Sequence, residues 1–128
     1  MKVHKFFYLT VQGDDLNLEE AQDVIKLPCR ILKKGEVYAS QKFGATPQKT
    51  NRWLYKAEDN REITPETFLL EQLDLLVAHS SELQNYISQG MALLELVLYA
   101  DNATDFQFTA EHIARLNQLG LGISLSFC

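Results

Sequence analysis

The chain has 128 residues, enough for one hydrophobic core and too few for two. Hydrophobic residues make up 46% and charged residues 23%, which excludes a disordered tail, a collagen-like fibre and a disulfide scaffold. A formal net charge of −5 argues against general nucleic-acid binding, which needs a basic surface.

Met1-Lys2-Val3-His4-Lys5 leads straight into an alternating run, with no apolar signal core and no small-residue cleavage site behind the lysines. The longest apolar stretch, Met91 to Ala100, is interrupted by Glu95 and is about half the length of a membrane-spanning helix. The expectation is a soluble, cytoplasmic chain with no membrane partner. Cys29 and Cys128 are then free thiols in a reducing compartment.

Val3, Phe7, Leu9 and Val11 fall at odd positions, a period of two that predicts a strand with one buried face; Phe6 breaks the pattern. Gly13-Asp14-Asp15 ends it. Asn17 and Glu20 have capping-box spacing for a short helix with Leu18, Ala21 and Ile25 on one face, stopping before Pro28. Cys29 to Lys33 reads as a second strand, Lys34-Gly35 as a turn, and Val37 to Gln41 as the returning strand. After a loop over 43–51, Arg52 to Lys56 reads as a fourth strand and Ala57 to Glu62 as a charged loop.

Thr64-Pro65-Glu66 is a helix start, with an N-cap hydroxyl, proline at the first position and a carboxylate near the positive helix end. Leu69, Leu73, Leu76 and Val77 make its wide apolar face, with Phe68 and Leu75 beside them. Ser80-Ser81 interrupts it, Ser81 and Gln84 suit a new capping box, and Gly90 suits a C-cap. Leu93 to Tyr99 predicts a strand and Asp101 to Asp105 a loop. Thr109 caps a helix carrying Ile113 and Leu116, which Gly120 ends. Leu121, Ile123, Leu125 and Phe127 alternate with small residues in a last strand. The order predicts a single α+β domain over residues 1–128, with a mixed or mostly antiparallel sheet and helices packed mainly on one face.

Charge is unevenly spread: residues 1–23 carry −3, residues 24–56 carry +7 and residues 57–128 carry −9. Two binding surfaces follow. One is the acidic cluster Asp14, Asp15, Glu19, Glu20 and Asp23, suited to a basic partner. The other is the basic hairpin region 24–56, with Lys33, Lys34, Lys49 and Arg52 as its binding candidates. There Lys42 and Lys56 add charge, and Tyr38, Phe43, Trp53 and Tyr55 add aromatic surface of the kind that holds single-stranded nucleic acid.

Catalytic and metal patterns are missing. His4, His79 and His112 fall on different predicted elements, and no His/Cys pair has ligand spacing. There is no Gly-x-Ser-x-Gly elbow and no Walker loop. No cofactor, metal or catalytic residue is assigned, and the chain is read as non-enzymatic.

Gly13-Asp14-Asp15, Ile25-Lys26-Leu27-Pro28, Lys33-Lys34-Gly35-Glu36, Arg52-Trp53-Leu54 and Leu119-Gly120-Leu121-Gly122-Ile123 stand in an order that resembles a bacterial domain-of-unknown-function family, number 4279. The likeness runs over nearly the whole length. Cys29-Arg30-Ile31-Leu32 stands where the family pattern has a threonine-containing turn. The resemblance implies a small α+β domain and no established activity. By analogy of size and type it suggests an immunity protein, which neutralises a cognate toxin by occluding it. The expected partner is therefore a protein, most concretely a basic toxin domain. A small-ligand or nucleic-acid binder using the basic hairpin is the alternative.

Overall fold

The computed structural model describes residues 4–18, 29–36, 50–99 and 105–127. Among the described residues five strands form one mixed sheet: β1 (His4–Gly13), β2 (Cys29–Leu32), β3 (Asn51–Asp59), β4 (Met91–Tyr99) and β5 (Ile123–Phe127). Among the same residues three helices accompany them: α1 (Pro65–Ala78), α2 (Ser80–Ile87) and α3 (Ala110–Leu119). The spatial order is β2-β3-β1-β4-β5. β1 is antiparallel to both β3 and β4, β2 is antiparallel to β3, and β5 is parallel to β4. A parallel neighbour needs a crossover rather than a hairpin, and α3 lies on that crossover.

Side-chain alternation assigns the two faces. Phe7, Leu9 and Val11 of β1 are in register with Ala57, Tyr55 and Trp53 of β3 and with Leu96, Leu94 and Ala92 of β4. This face closes against Phe68, Leu69, Leu73 and Leu76 of α1, Leu83 and Tyr86 of α2, and Leu119 of α3, in one core. Burying each such side chain contributes about 1.5–3 kcal/mol, which is what orients the helices.

Local chemistry sets the helix ends. The Thr64 hydroxyl accepts from Thr67 N–H at 3.1 Å, Pro65 occupies the first turn, and Glu66 lies near the positive end. α1 stops at Ala78, where His79 turns the chain and its Nδ1 meets the Leu75 carbonyl at 3.0 Å. Thr109 caps α3, and Gly120 ends it in the left-handed region at φ 71°. Cys29 is a free, half-buried thiol.

Four details differ from the sequence reading. β3 continues through Ala57, Glu58 and Asp59 instead of turning into a loop, because each residue finds a partner on β1. Ser81 and Gln84 form no capping box: α2 begins at Ser80 with no side-chain cap, and Gln84 Nε2 donates instead to the Leu119 carbonyl at 3.2 Å. Gly90 is not a helix cap; Ser88 is, and Gly90 lies where a Cβ would be 2.3 Å from the Gln12 carbonyl oxygen. On α3 the buried residues are His112 and Leu119, while Ile113 is 52% exposed. The returning strand expected over 37–41 lies outside the described residues, as does the expected 17–25 helix beyond Leu18.

Candidate functional site

The even-numbered residues of β1 point away from the helices. Phe6 lies between Glu58 of β3 and Val97 of β4, Tyr8 between Lys56 and Glu95, Thr10 between Leu54 and Leu93, and Gln12 between Arg52 and Met91. His4 lies opposite Tyr99. The described helices all pack on the other face of the sheet. Met91 is 71% exposed, and Leu93 and Tyr99 are each 46% exposed.

A connected aromatic row runs across this open face. The His4 and Phe6 rings are 4.5 Å apart, Phe6 and Tyr8 stack at 6.3 Å, and Tyr99 meets Phe6 edge-on at 5.4 Å. Lys56 Nζ lies 5.3 Å from the Phe6 ring centre and 6.0 Å from that of Tyr8, within cation–π range. His4 Nε2 is 2.7 Å from Glu58 Oε1. Partial burial, with the Glu95 and Glu58 charges behind it, pushes the Tyr8 hydroxyl above its ordinary pKa, so it stays a neutral donor. Aromatic rings, a methionine, a leucine and both signs of charge form a surface suited to recognition.

The two charged candidates meet at one end of the sheet. Asp14 Oδ1 is 3.6 Å from Lys34 Nζ. Asn51 holds both turns: its Nδ2 donates to the carbonyls of Asp14 and Leu16, and its Oδ1 accepts from Lys34 N–H at 2.8 Å. Asp15 and Lys33 are exposed beside them. Arg52 extends along the open face and donates to Gln12 Oε1 at 3.1 Å. Glu19, Glu20, Asp23, Lys42 and Lys49 lie outside the described residues, as do Tyr38 and Phe43. Trp53 and Tyr55, which sequence reading placed beside the basic residues, are 1% and 4% exposed in the core. The rings beside the described basic strand residues are Phe6 and Tyr8.

Sequence reading missed a charge cluster that is buried at Lys5 and Asp59. Lys5 is fully buried on the helix-facing row, with its cross-strand partner Asp59. Its Nζ donates to the Arg61 carbonyl at 2.9 Å. Arg61 N–H donates to Asp59 Oδ1 at 2.6 Å, its guanidinium pairs with Asp59 Oδ2, and its Nη2 reaches Glu71 of α1 at 2.8 Å. Hydrogen bonds from Arg61 hold the Asp59 carboxyl below its ordinary range, against the opposing effect of burial. Burial lowers the Lys5 ammonium pKa, and Asp59 partly offsets that. The cluster ties the end of β3 to α1. The signal was parity: Lys5 shares the odd row with Phe7, Leu9 and Val11.

His112 was also missed as a core residue. Its Nδ1 accepts from Thr109 N–H at 3.0 Å, so the proton is on Nε2, which donates to the Glu66 carbonyl at 2.8 Å. It links the first turns of α1 and α3. Its position three residues after the Thr109 cap was the available signal.

Residues 1–127 match the family model described as Domain of unknown function (DUF4279). The chain belongs to that family. No curated protein and no solved structure matches it. Cys29-Arg30-Ile31-Leu32 forms β2. Among the described residues no three His, Cys, Asp or Glu side chains gather as a metal site, and no helix is long and apolar enough to cross a membrane.

Proposed function

We propose that this chain is a non-enzymatic protein-binding module whose recognition surface is the open face of the sheet, most concretely a bacterial immunity protein that occludes a cognate toxin. The observation that carries the reading is the exposed Met91, Leu93 and Tyr99 beside the Phe6–Tyr8 row. Aromatic and methionine side chains with arginine at the margin are the composition enriched at protein interfaces. Asp14 and Asp15 at the sheet end would steer a basic partner and contribute at the rim.

A specific observation supports the nucleic-acid alternative. Lys56 sits over Phe6 and Tyr8 on a sheet face, a pairing that also suits stacked bases. Glu58 and Glu95 on the same face oppose a phosphate backbone, so the protein reading is preferred.

The test is titration of the full chain with the polypeptide encoded by the adjoining reading frame and, separately, with oligo-dT. Wild type binds the polypeptide, and Leu93→Lys with Tyr99→Ala weakens binding by at least about tenfold, one hot-spot equivalent. Tight oligo-dT binding lost in the same double variant, with no polypeptide binding, replaces this reading by the alternative.

A further inference from the structure

Glu95 stands half-buried in the middle of the open face. Its register partners are Tyr8 of β1 and Ser124 of β5. Leu93 and Val97 flank it on its own strand, and side chains two positions apart point to the same face. These neighbours are uncharged. Among the described residues no basic side chain forms an ion pair with Glu95, and β4 and β5 contain no lysine, arginine or histidine.

Other charges on this face are already engaged. Glu58 has His4, Arg52 has Gln12, and Lys56 has the Phe6 and Tyr8 rings. Lys56 shows that these rings attract a cation, but it reaches them from β3, whereas Glu95 lies across Tyr8 on β4. Burial first and the Glu95 charge second raise the Tyr8 hydroxyl pKa, so the carboxylate acts on its neighbour. On the β5 side the neighbours are short: Ser124 and Ser126 are both exposed. A side chain arriving from outside has room beside Glu95.

A partner that covers this face takes Glu95 out of water. An unpaired carboxylate buried in an interface opposes binding, and a cation brought by the partner turns it into a specific contact. Resting on the protein-binding reading above, we propose that Glu95 and Tyr8 form the seat for an arginine side chain of the partner. The carboxylate accepts the guanidinium fork, the planar group lies against the Tyr8 ring, and the Ser124 hydroxyl oxygen accepts a further N–H. Lysine offers a point charge with neither fork nor plane, so arginine is the better occupant. A net charge of −5 favours the approach of such a basic partner.

The probe is N-acetyl-arginine N-methylamide, titrated into the full chain and followed by backbone amide shifts. Its citrulline counterpart is an uncharged control of nearly the same shape. The arginine probe is expected to bind with a dissociation constant of roughly 1–10 mM and to shift the amides of Tyr8, Glu95 and Ser124, while the citrulline probe shifts none of them. Glu95→Gln abolishes these shifts. Ser124→Lys, at an exposed position, supplies a cation from within the chain and abolishes them as well, which decides the matter should Glu95→Gln misfold. With the polypeptide encoded by the adjoining reading frame, Glu95→Gln raises the dissociation constant by at least about tenfold, mostly through faster dissociation. Shifts that persist in Glu95→Gln, that citrulline reproduces or that fall away from Glu95 overturn the arginine seat. A polypeptide that binds wild type and Glu95→Gln alike also overturns it and leaves the protein-binding reading intact. A polypeptide that does not bind, while the arginine probe still shifts these amides, supports the seat and removes the reading it rested on.

Discussion

The two faces of the sheet are made by the same strands and differ in almost everything else. On one, Phe7, Leu9, Leu94 and Leu96 are fully buried beneath α1 and its neighbours. On the other, Phe6, Tyr8, Leu93 and Tyr99 alternate with them along the same backbones yet stay partly exposed. The first face even holds a charge, Lys5, only by enclosing it with Asp59 and the Arg61 carbonyl. The second keeps His4, Lys56 and Glu58 in partial contact with water. A residue on the closed face answers to packing and polar satisfaction, while one on the open face is free to answer to a partner.

That contrast breaks most visibly at Asp59. Asp59→Ala removes the carboxylate that Arg61 binds and that offsets the charge of Lys5, and a loss of up to about 3 kcal/mol is expected, the upper worth of hydrogen bonds to a charged group. Lys5→Met costs less, because Asp59 keeps Arg61 and the desolvation of the ammonium disappears. The pH dependence has a definite sign. The folded pKa of Asp59 lies below the ordinary 3.8, so the unfolded chain binds more protons between the two values. Stability from this group is full above about pH 3.8 and is lost as pH falls through the lowered value. Urea unfolding from pH 2 to 6 shows a shallower acid slope in Asp59→Asn than in wild type.

Next in size is His112. His112→Ala deletes a buried ring, a cap acceptor and the donor to Glu66, and costs about 2–3 kcal/mol in denaturant unfolding. Gly90→Ala comes close behind. Its Cβ would clash with the Gln12 carbonyl, and the backbone shift costs about 1–3 kcal/mol. The open face sharpens the comparison from the other side. Leu93→Lys with Tyr99→Ala changes stability by no more than about 0.5 kcal/mol per site while weakening binding of the proposed partner by at least about tenfold. A large loss of stability there would mean that this face is closed in the folded protein. The smallest effect belongs to the exposed Asp14–Lys34 pair. Asp14→Asn changes stability by less than about 1 kcal/mol, and the change fades as salt rises.

Elements whose signals are local were legible in the sequence. The Thr64 and Thr109 caps, the Gly120 stop and the period of two in β1 and β5 all depend on residues within one or two turns of each other. The tertiary structure decided what the exceptions to these rows do. Phe6 looked like a break in the pattern and is instead part of a second, aromatic row, which exists only because β3 and β4 bring Lys56 and Tyr99 beside it. Lys5 looked like a basic residue near a terminus, yet Asp59, more than fifty positions away, makes its burial tolerable. Asp14 and Lys34 were separate candidate surfaces until Asn51 joined their turns. A sequence fixes short-range hydrogen bonds and periodicity because these are set by the residues themselves. Burial and charge pairing depend on which distant strand arrives alongside, and only the assembled sheet determines that.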